Sequence, residues 1–411
     1  MRETTGGVPD ESDIASFLPL STMLEKEYEV SPGRGVNSGS WSAMNQLRAL
    51  PLVTNWRSAI QTAQGSSLQS SANAIAGAVD PRAILSEKGI STCKDLNKLV
   101  LHGGVVRPFL KWVGGKAQII DNITDMLPTQ VDTYYEPFLG GGSVLLNTLY
   151  MHYSNKITIN KRVIASDINE DLITLYRHVR DDVDTLLDEV KKLSSEYLSL
   201  RSMESKKECY YRVRDEYNCR LSDDEVANMP YDVLQRSRIR RSAMFIFLNK
   251  TCFRGMYRCA KKTGHFNVSF GNYAEPTFVC PKHLRGISLM IQPVVFVVSD
   301  FANILRHHES ANTSPKDFIY MDPPYVKLND NSFVNYSREG FSEEKHDTLF
   351  TLLKTLKSQF MFSNSYTEEV LSHFVDNPFI IVVIPAFRRI NSKAPNQKMD
   401  EVVVVNYNTT H

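Results

Sequence analysis

Val131-Asp132-Thr133-Tyr134-Tyr135-Glu136-Pro137-Phe138-Leu139-Gly140-Gly141-Gly142-Ser143 decides the fold. Valine, threonine and tyrosine favour an extended strand, and the three glycines then let the chain turn tightly and approach a ligand closely. Ser143 to His152 reads as a helix, and Arg162 to Asp167 as a second short apolar strand ending in an acid. Strand, glycine loop, helix, strand is the pattern of a doubly wound parallel α/β sheet. An acid at the end of the second strand can accept both hydroxyls of an adenosyl ribose. Gly140, Gly142 and Asp167 are therefore cofactor-binding candidates. Taken alone they suit a nicotinamide dinucleotide equally, and Asp167 also suits a helix cap ahead of Glu170.

Downstream, apolar residues recur at helical spacing from Leu172 to Leu193, which predicts one helix over Asp171 to Leu198. Further helices are expected over Glu204 to Arg220 and Val233 to Leu248. Strand patterns return at Ser288 to Val298, Phe318 to Met321, Phe360 to Ser363, Phe379 to Ile384 and Val402 to Tyr407. The segment 176–282, mostly helical and rich in Arg, Lys and Tyr, reads as an insertion into the sheet. The catalytic sheet domain is then expected over 102–175 and 283–411.

The chemistry concentrates in Asp322-Pro323-Pro324-Tyr325, directly after the apolar strand Phe318 to Met321. In open α/β sheets ligands bind beyond the carboxyl ends of the strands. Two prolines remove backbone donors and fix the turn. The Asp322 carboxylate and the Pro323 carbonyl then form a pair of acceptors for the two N–H groups of an exocyclic amine. Pro324 completes the turn, and Tyr325 offers a flat face on which an extruded base can stack. The bland alternative is a strand-ending turn with an Asp cap.

Composition excludes several classes. A chain of 411 residues with 42% hydrophobic and 23% charged residues is an ordinary globular protein. No stretch approaches the roughly 20 uninterrupted apolar residues of a membrane span, and no secretory signal is visible. The six cysteines form no CxxC pair and no zinc pattern, so no metal is expected and the thiols read as reduced, in an intracellular protein. Net charge is only +1, but Arg236, Arg238, Arg240 and Arg241 crowd one stretch, and Arg254, Arg258, Lys261 and Lys262 follow it. That clustering suits either a nucleic-acid face or a solvated helix face.

From Arg107 to Tyr407 the chain resembles the Dam family (D12 class) of DNA adenine methyltransferases. The resemblance rests on Lys111-Trp112-Val113-Gly114-Gly115-Lys116, on Glu136-Pro137-Phe138 with the glycines, and on Asp167-Ile168-Asn169. It continues through Leu248 to Arg258, Phe266 to Gly271, Asp322 to Tyr325 and Phe362-Ser363-Asn364-Ser365, in the family's order. It implies a methyltransferase fold with an inserted helical and β-hairpin DNA-recognition domain. It implies S-adenosylmethionine as cofactor and transfer of its methyl group to N6 of a flipped adenine in double-stranded DNA. Trp112, Lys116, Phe138, Asp300, Phe301 and Asp322 would join the glycines and Asp167 around the cofactor. Asn249, Arg254, Arg258, Lys261, Lys262 and Asn267 would face the DNA. The chain departs from many members in having Arg254 for Asn and Ser269 for Pro. Its tip, Cys259 to His265, also differs from members that read GATC. Action as a monomer, with or without a cognate restriction endonuclease, is expected. Rival readings are cytosine N4 methylation, RNA as substrate, and a catalytically silent DNA-binding protein.

Residues 1–101 have another texture. Between Val30 and Val79 there is no Asp or Glu, while Ser, Gln, Asn, Gly and Ala abound. This predicts a weakly ordered extension with at most short helices, one of them over Pro81 to Val100. Trp41, Trp56 and the apolar run Leu47 to Val53 speak for some local docking.

Overall fold

The computed structural model describes residues 93–310, 313–325, 341–375, 378–388, 397–398 and 400–409. The chain separates into two units, Met1–Gly77 and Ala78–His411, and every described residue belongs to the second. The expectations for residues 1–92 lie outside the described residues.

The described elements run α1 (Cys93–Val100), β1 (Leu101–His102), β2 (Val105–Val106), α2 (Ile120–Asp125), β3 (Gln130–Glu136), α3 (Ser143–Tyr153) and β4 (Thr158–Asp167). A helical stretch follows: α4 (Glu170–Asp181), α5 (Val183–Ser199), α6 (Met203–Asn218), α7 (Asp223–Asn228) and α8 (Tyr231–Thr251). The chain then returns through α9 (Pro281–Met290), β5 (Val294–Val298), α10 (Phe301–Ser310) and β6 (Phe318–Met321). It ends in α11 (Glu343–Thr355), β7 (Gln359–Ser365), α12 (Glu368–Ser372), β8 (Ile380–Ile384), β9 (Phe387–Arg388), β10 (Gln397–Lys398) and β11 (Glu401–Val405).

The main sheet has seven strands in the order β5-β4-β3-β6-β7-β11-β8. The pairings from β5 through β7 are parallel, and β11 runs antiparallel to both β7 and β8. Alternation along each strand divides its side chains between two cores. Phe318 and Tyr320, Met361, and Val403 and Val405 face one core; Ile319 and Met321, Phe360 and Phe362, and Val402 and Val404 face the other. The first core includes Ile123 of α2, Leu145 of α3 and Leu172 of α4, and the second Leu305 of α10 and Leu349 of α11. Helices therefore cover both faces, as the doubly wound reading requires.

Several boundaries differ from the sequence expectation. The helix expected over Asp171 to Leu198 is two helices. Asp182 takes a non-helical conformation and its carboxylate caps α5 by accepting from Thr185 N. Ser288 to Met290, expected as strand, ends helix α9, which Pro281 starts. The expected β-hairpin is an antiparallel excursion with only two isolated bridges, Cys252–Phe270 and Cys259–Phe266. Arg254 (φ +57°) and Gly255 (φ +66°) kink it at the start. Helix α4 belongs with the sheet, because Arg177 and Arg180 donate to the Phe296 and Val294 carbonyls of β5. A boundary at residue 176 therefore cuts through a helix packed on the sheet.

The arginine run on α8 turns inward in part. Arg241 pairs with both oxygens of buried Asp171 (2.7 and 3.0 Å), which also accepts from Tyr217 and Arg220. Arg240 pairs with Glu216 at 2.6 and 3.0 Å. These two arginines tie α8 to α4 and α6. The helix α1 is likewise structural: Leu96 and Val100 are buried in the first core. The core thus reaches back into the stretch assigned to the extension.

Candidate active site

β3 lies between β4 and β6, so the sheet's direction of growth reverses at β3 and a crevice opens at the carboxyl ends of these strands. β3 ends at Glu136 and leads into the glycine loop. Gly140 (φ +49°) and Gly142 (φ +69°) occupy the left-handed region, which disfavours other residues. Their missing side chains also make room: a Cβ on Gly140 would lie 2.9 Å from Trp112 Nε1, and one on Gly142 would lie 2.5 Å from Tyr176 Oη. Trp112 thus rests on the loop, with Tyr257 stacked behind it at 5.9 Å.

Asp167, at the end of β4, accepts from Gly140 N and Asn169 N, both at 3.0 Å. The cap of α4 is Asn169, which accepts from Leu172 N, so Asp167 is not the helix cap. Burial pushes the Asp167 carboxyl above its usual range. Phe138 and Phe301 stack at 5.2 Å and Phe341 closes the trio. Asp300 accepts from Ala302 N (2.9 Å) and pairs with Lys345 (3.2 Å). Phe138, Asp167, Asp300 and Phe301 stand at or just after the carboxyl ends of β3, β4 and β5; Phe301 is itself buried among aromatic rings.

The Asp322-Pro323-Pro324-Tyr325 turn follows β6. Lys116 is buried, yet its three N–H groups are used: Asp322 Oδ1 at 2.6 Å, Tyr325 Oη at 2.7 Å and Gly114 O at 3.1 Å. Glu401 Oε2 lies 3.7 Å from the same ammonium. Burial opposes the lysine's charge, but Asp322 and Glu401 outweigh it and hold Lys116 above the ordinary lysine range. Burial also pushes Asp322 up, to about 6, against the pull of Lys116. Glu136 rises to about 8, chiefly by burial, and its Oε2 accepts from Tyr134 Oη at 2.6 Å.

Two residues of this site carried no signal in the sequence. Glu401 opens β11 and reads there as the charged start of an apolar strand. His346, on α11, sets Nε2 3.0 Å from the Pro324 carbonyl and Nδ1 3.2 Å from the Ser342 carbonyl, and so braces the turn from behind. A lone histidine in an amphipathic helix gives no such hint.

The expected DNA-facing residues divide. Arg254, Lys261, Lys262 and Asn267 are exposed, and Arg258 is half-buried. Arg258 Nε donates to Asn267 Oδ1 at 2.7 Å. Asn249, expected among them, is instead interior at 4% exposure. Its amide oxygen accepts from Lys111 N (2.9 Å) and its amide nitrogen donates to Lys111 O (2.7 Å) and Gly255 O (3.1 Å), so both of its N–H groups are used within the protein. It joins the end of α8 to the segment that carries Trp112 and Lys116. Among the described residues no group of His, Cys, Asp and Glu could hold a metal ion, and no helix is long and apolar enough to cross a membrane.

A mostly parallel seven-stranded sheet with one reversed strand, a glycine loop after β3 and Asp-Pro-Pro-Tyr after β6 define a methyltransferase fold. The chain belongs to the D12 class N6 adenine-specific DNA methyltransferase family, whose model matches residues 112–390. It is 37% identical to the Type II methyltransferase M.MjaIII of Methanocaldococcus jannaschii over 314 residues, covering 74% of this chain and 99% of that one. It is 29% identical to the DNA adenine methylase of Haemophilus influenzae, covering 62% of this chain and 76% of that one. For the Retron Ec67 DNA adenine methylase of Escherichia coli the identity is 28%, over 72% and 90% of the two chains.

Proposed function

We propose that this chain transfers a methyl group from S-adenosylmethionine to N6 of an adenine turned out of double-stranded DNA at a defined sequence. The observation that carries the reading is the contact of buried Lys116 with both Asp322 and Tyr325 beside the glycine loop. The donor supplies an electrophilic methyl on a sulfonium. The residues fit it: Gly140 and Gly141 leave a side-chain-free loop under Trp112, Gly142 passes close to Tyr176, and Asp167 stands at the loop's edge. Asp167 would hold the ribose, and Phe138, Asp300 and Phe301 would border the adenosyl ring.

The chain's own work is positioning. Lys116 fixes Asp322, whose carboxylate accepts one amine N–H while the Pro323 carbonyl accepts the other. The amine lone pair is thereby turned out of the ring's conjugation. Pro324, held by His346, sets the height of the Tyr325 ring, on which the base stacks. Arg254, Arg258, Lys261 and Lys262 supply positive charge toward phosphates, with Asn267 orienting Arg258.

The test is incubation with labelled donor and duplex DNA, followed by nucleoside analysis. N6-methyladenine is expected; N4-methylcytosine or methylated RNA would overturn the substrate. Asp322→Ala should lower turnover by ~100-fold or more with DNA affinity kept, the scale for losing a positioning contact at a reacting centre. The Type II name of the Methanocaldococcus jannaschii relative supports a restriction endonuclease as companion. Mapping the methylated sequence, and finding that the mark blocks one such endonuclease, tests that.

A further inference from the structure

We propose that Glu401 sets the charge of the donor pocket, placing a second carboxylate against the single buried ammonium of Lys116 so that the site prefers a cationic methyl donor to its uncharged product. The inference rests on the S-adenosylmethionine reading above. Lys116 Nζ stands 2.6 Å from Asp322 and 3.7 Å from Glu401, with side-chain exposures of 1%, 19% and 18%. One ammonium therefore faces two carboxylates, a surplus of one negative charge in a site largely removed from water.

The surplus is not a packing accident at a strand end. β11 is the strand that runs against its neighbours β7 and β8. Its first residue therefore lies at the carboxyl ends of the parallel strands, where the catalytic turn is. Glu401 pairs in register with Ser365 of β7, and Ser363 Oγ donates to Glu401 Oε2 at 3.5 Å. The Tyr325 hydroxyl donates to the same side chain while accepting from Lys116. A neutral glutamine keeps one acceptor oxygen for these donors, with weaker bonds than a carboxylate makes, so the acid contributes charge beyond what hydrogen bonding requires.

Uncompensated charge in a poorly hydrated site is costly unless an opposite charge arrives to match it. S-adenosylmethionine carries sulfonium, ammonium and carboxylate, a net charge of +1. Its demethylated product has lost the sulfonium and is neutral overall. The Lys116 cluster, with one surplus negative charge, therefore favours the donor over its product, while Asp167 stands at the ribose that both share. Among the described groups around Lys116, Glu136 adds no full charge near neutrality, because burial holds it protonated up to about pH 8. Asp322 is committed to the target amine. Glu401 touches neither and acts through Lys116 and Tyr325, as a positioning and charge-setting residue.

The experiment is calorimetric titration of the full-length protein and its Glu401→Gln variant, without DNA. The ligands are S-adenosylmethionine, sinefungin (an analogue with a protonated amine in place of the sulfonium) and S-adenosylhomocysteine. Glu401→Gln should weaken the two cationic ligands roughly tenfold and leave S-adenosylhomocysteine within about twofold, the scale of one charge across a partly screened site. Glu401→Asp, which keeps the charge and shortens the reach, should keep the preference for the cationic ligands even if a misfolded Gln variant gives no reading. Equal loss for all three ligands, or no loss for any, overturns the inference and leaves the donor assignment standing. A wild-type protein that binds none of the three overturns the donor assignment and this inference with it.

Discussion

Removal of residues 1–100 should destabilise the catalytic unit, whereas removal of residues 1–92 should not. The difference is helix α1. Leu96 and Val100 are 1% and 0% exposed, and each lies in the core shared with α9. Full burial of an aliphatic side chain is worth about 1.5–3 kcal/mol, so losing both costs roughly 3–6 kcal/mol. A domain has only about 5–15 kcal/mol of stability in total. At about 2 °C per kcal/mol for a domain of this size, the melting point should fall on the order of 10 °C. The contact is close enough to check independently. A Cβ on Gly286 of α9 would lie 2.7 Å from Val100 Cγ1 and 2.9 Å from Leu99 Cβ. Gly286→Ala should therefore destabilise a chain beginning at Cys93 and have little effect on one beginning at Leu101, a coupling that a double-mutant cycle isolates. The assay is thermal melting of both truncated proteins, each with and without Gly286→Ala, alongside turnover. If the chain beginning at Leu101 melts within about 2 °C of the longer one, about 1 kcal/mol, the reasoning about α1 fails.

Four further outcomes are expected. Asp322 titrates at about 6, above its ordinary value, because burial and Glu401 raise it more than Lys116 lowers it. Its carboxylate is the working form, so kcat/KM should fall as pH drops through about 6, with a one-proton slope; a flat profile down to pH 5 would contradict this. Asp167→Ala should weaken S-adenosylmethionine binding by about 1.5–3 kcal/mol in calorimetry, the worth of hydrogen bonds to a charged group. Asn249→Ala removes three bonds to Lys111 and Gly255 and should cost about 2–4 kcal/mol in denaturant melts. Weaker DNA binding with unchanged stability would return Asn249 to the DNA face. His346→Ala should lower kcat by about tenfold with donor affinity nearly unchanged, since it acts through the Pro324 carbonyl, and His346→Gln should recover part of the loss by offering an N–H at a similar reach.

What could be read without coordinates was what neighbouring residues decide among themselves. The strand from Gln130, the glycine turn and the helix from Ser143 are each fixed within a dozen residues, by β-branched content, by absent side chains and by apolar spacing. The same local logic misplaced Ser288 to Met290, because Ile and Leu near a strand read as strand while the helix start at Pro281 lies out of that window. It also ran α4 and α5 together, because the apolar period passes almost unbroken through Asp182 and only the backbone at that residue ends the first helix. The interior place of Asn249 was not legible for a different reason. It stands in the stretch Leu248 to Arg258 that carries the family resemblance, and its neighbours in space are the Lys111 and Gly255 backbones, a pairing created by the docking of distant segments.

The candidate active site lies at the far end of that scale. Lys116, Asp322, Tyr325 and Glu401 meet only because β6 and the reversed β11 deliver their ends to one side of the sheet. Asp322 and Tyr325 are legible, since two prolines between an acid and an aromatic ring are a local oddity. Lys116 came through resemblance to a family, whereas Glu401 lies in none of the stretches on which that resemblance rests. An acid pair, Asp400-Glu401, before four valines in a row is indistinguishable in sequence from any solvated strand start. Its meaning comes from strand direction: were β11 parallel, Glu401 would stand at the opposite edge of the sheet and Lys116 would answer to one carboxylate instead of two. The chemistry of the pocket therefore depends on topology as much as on the residues that line it.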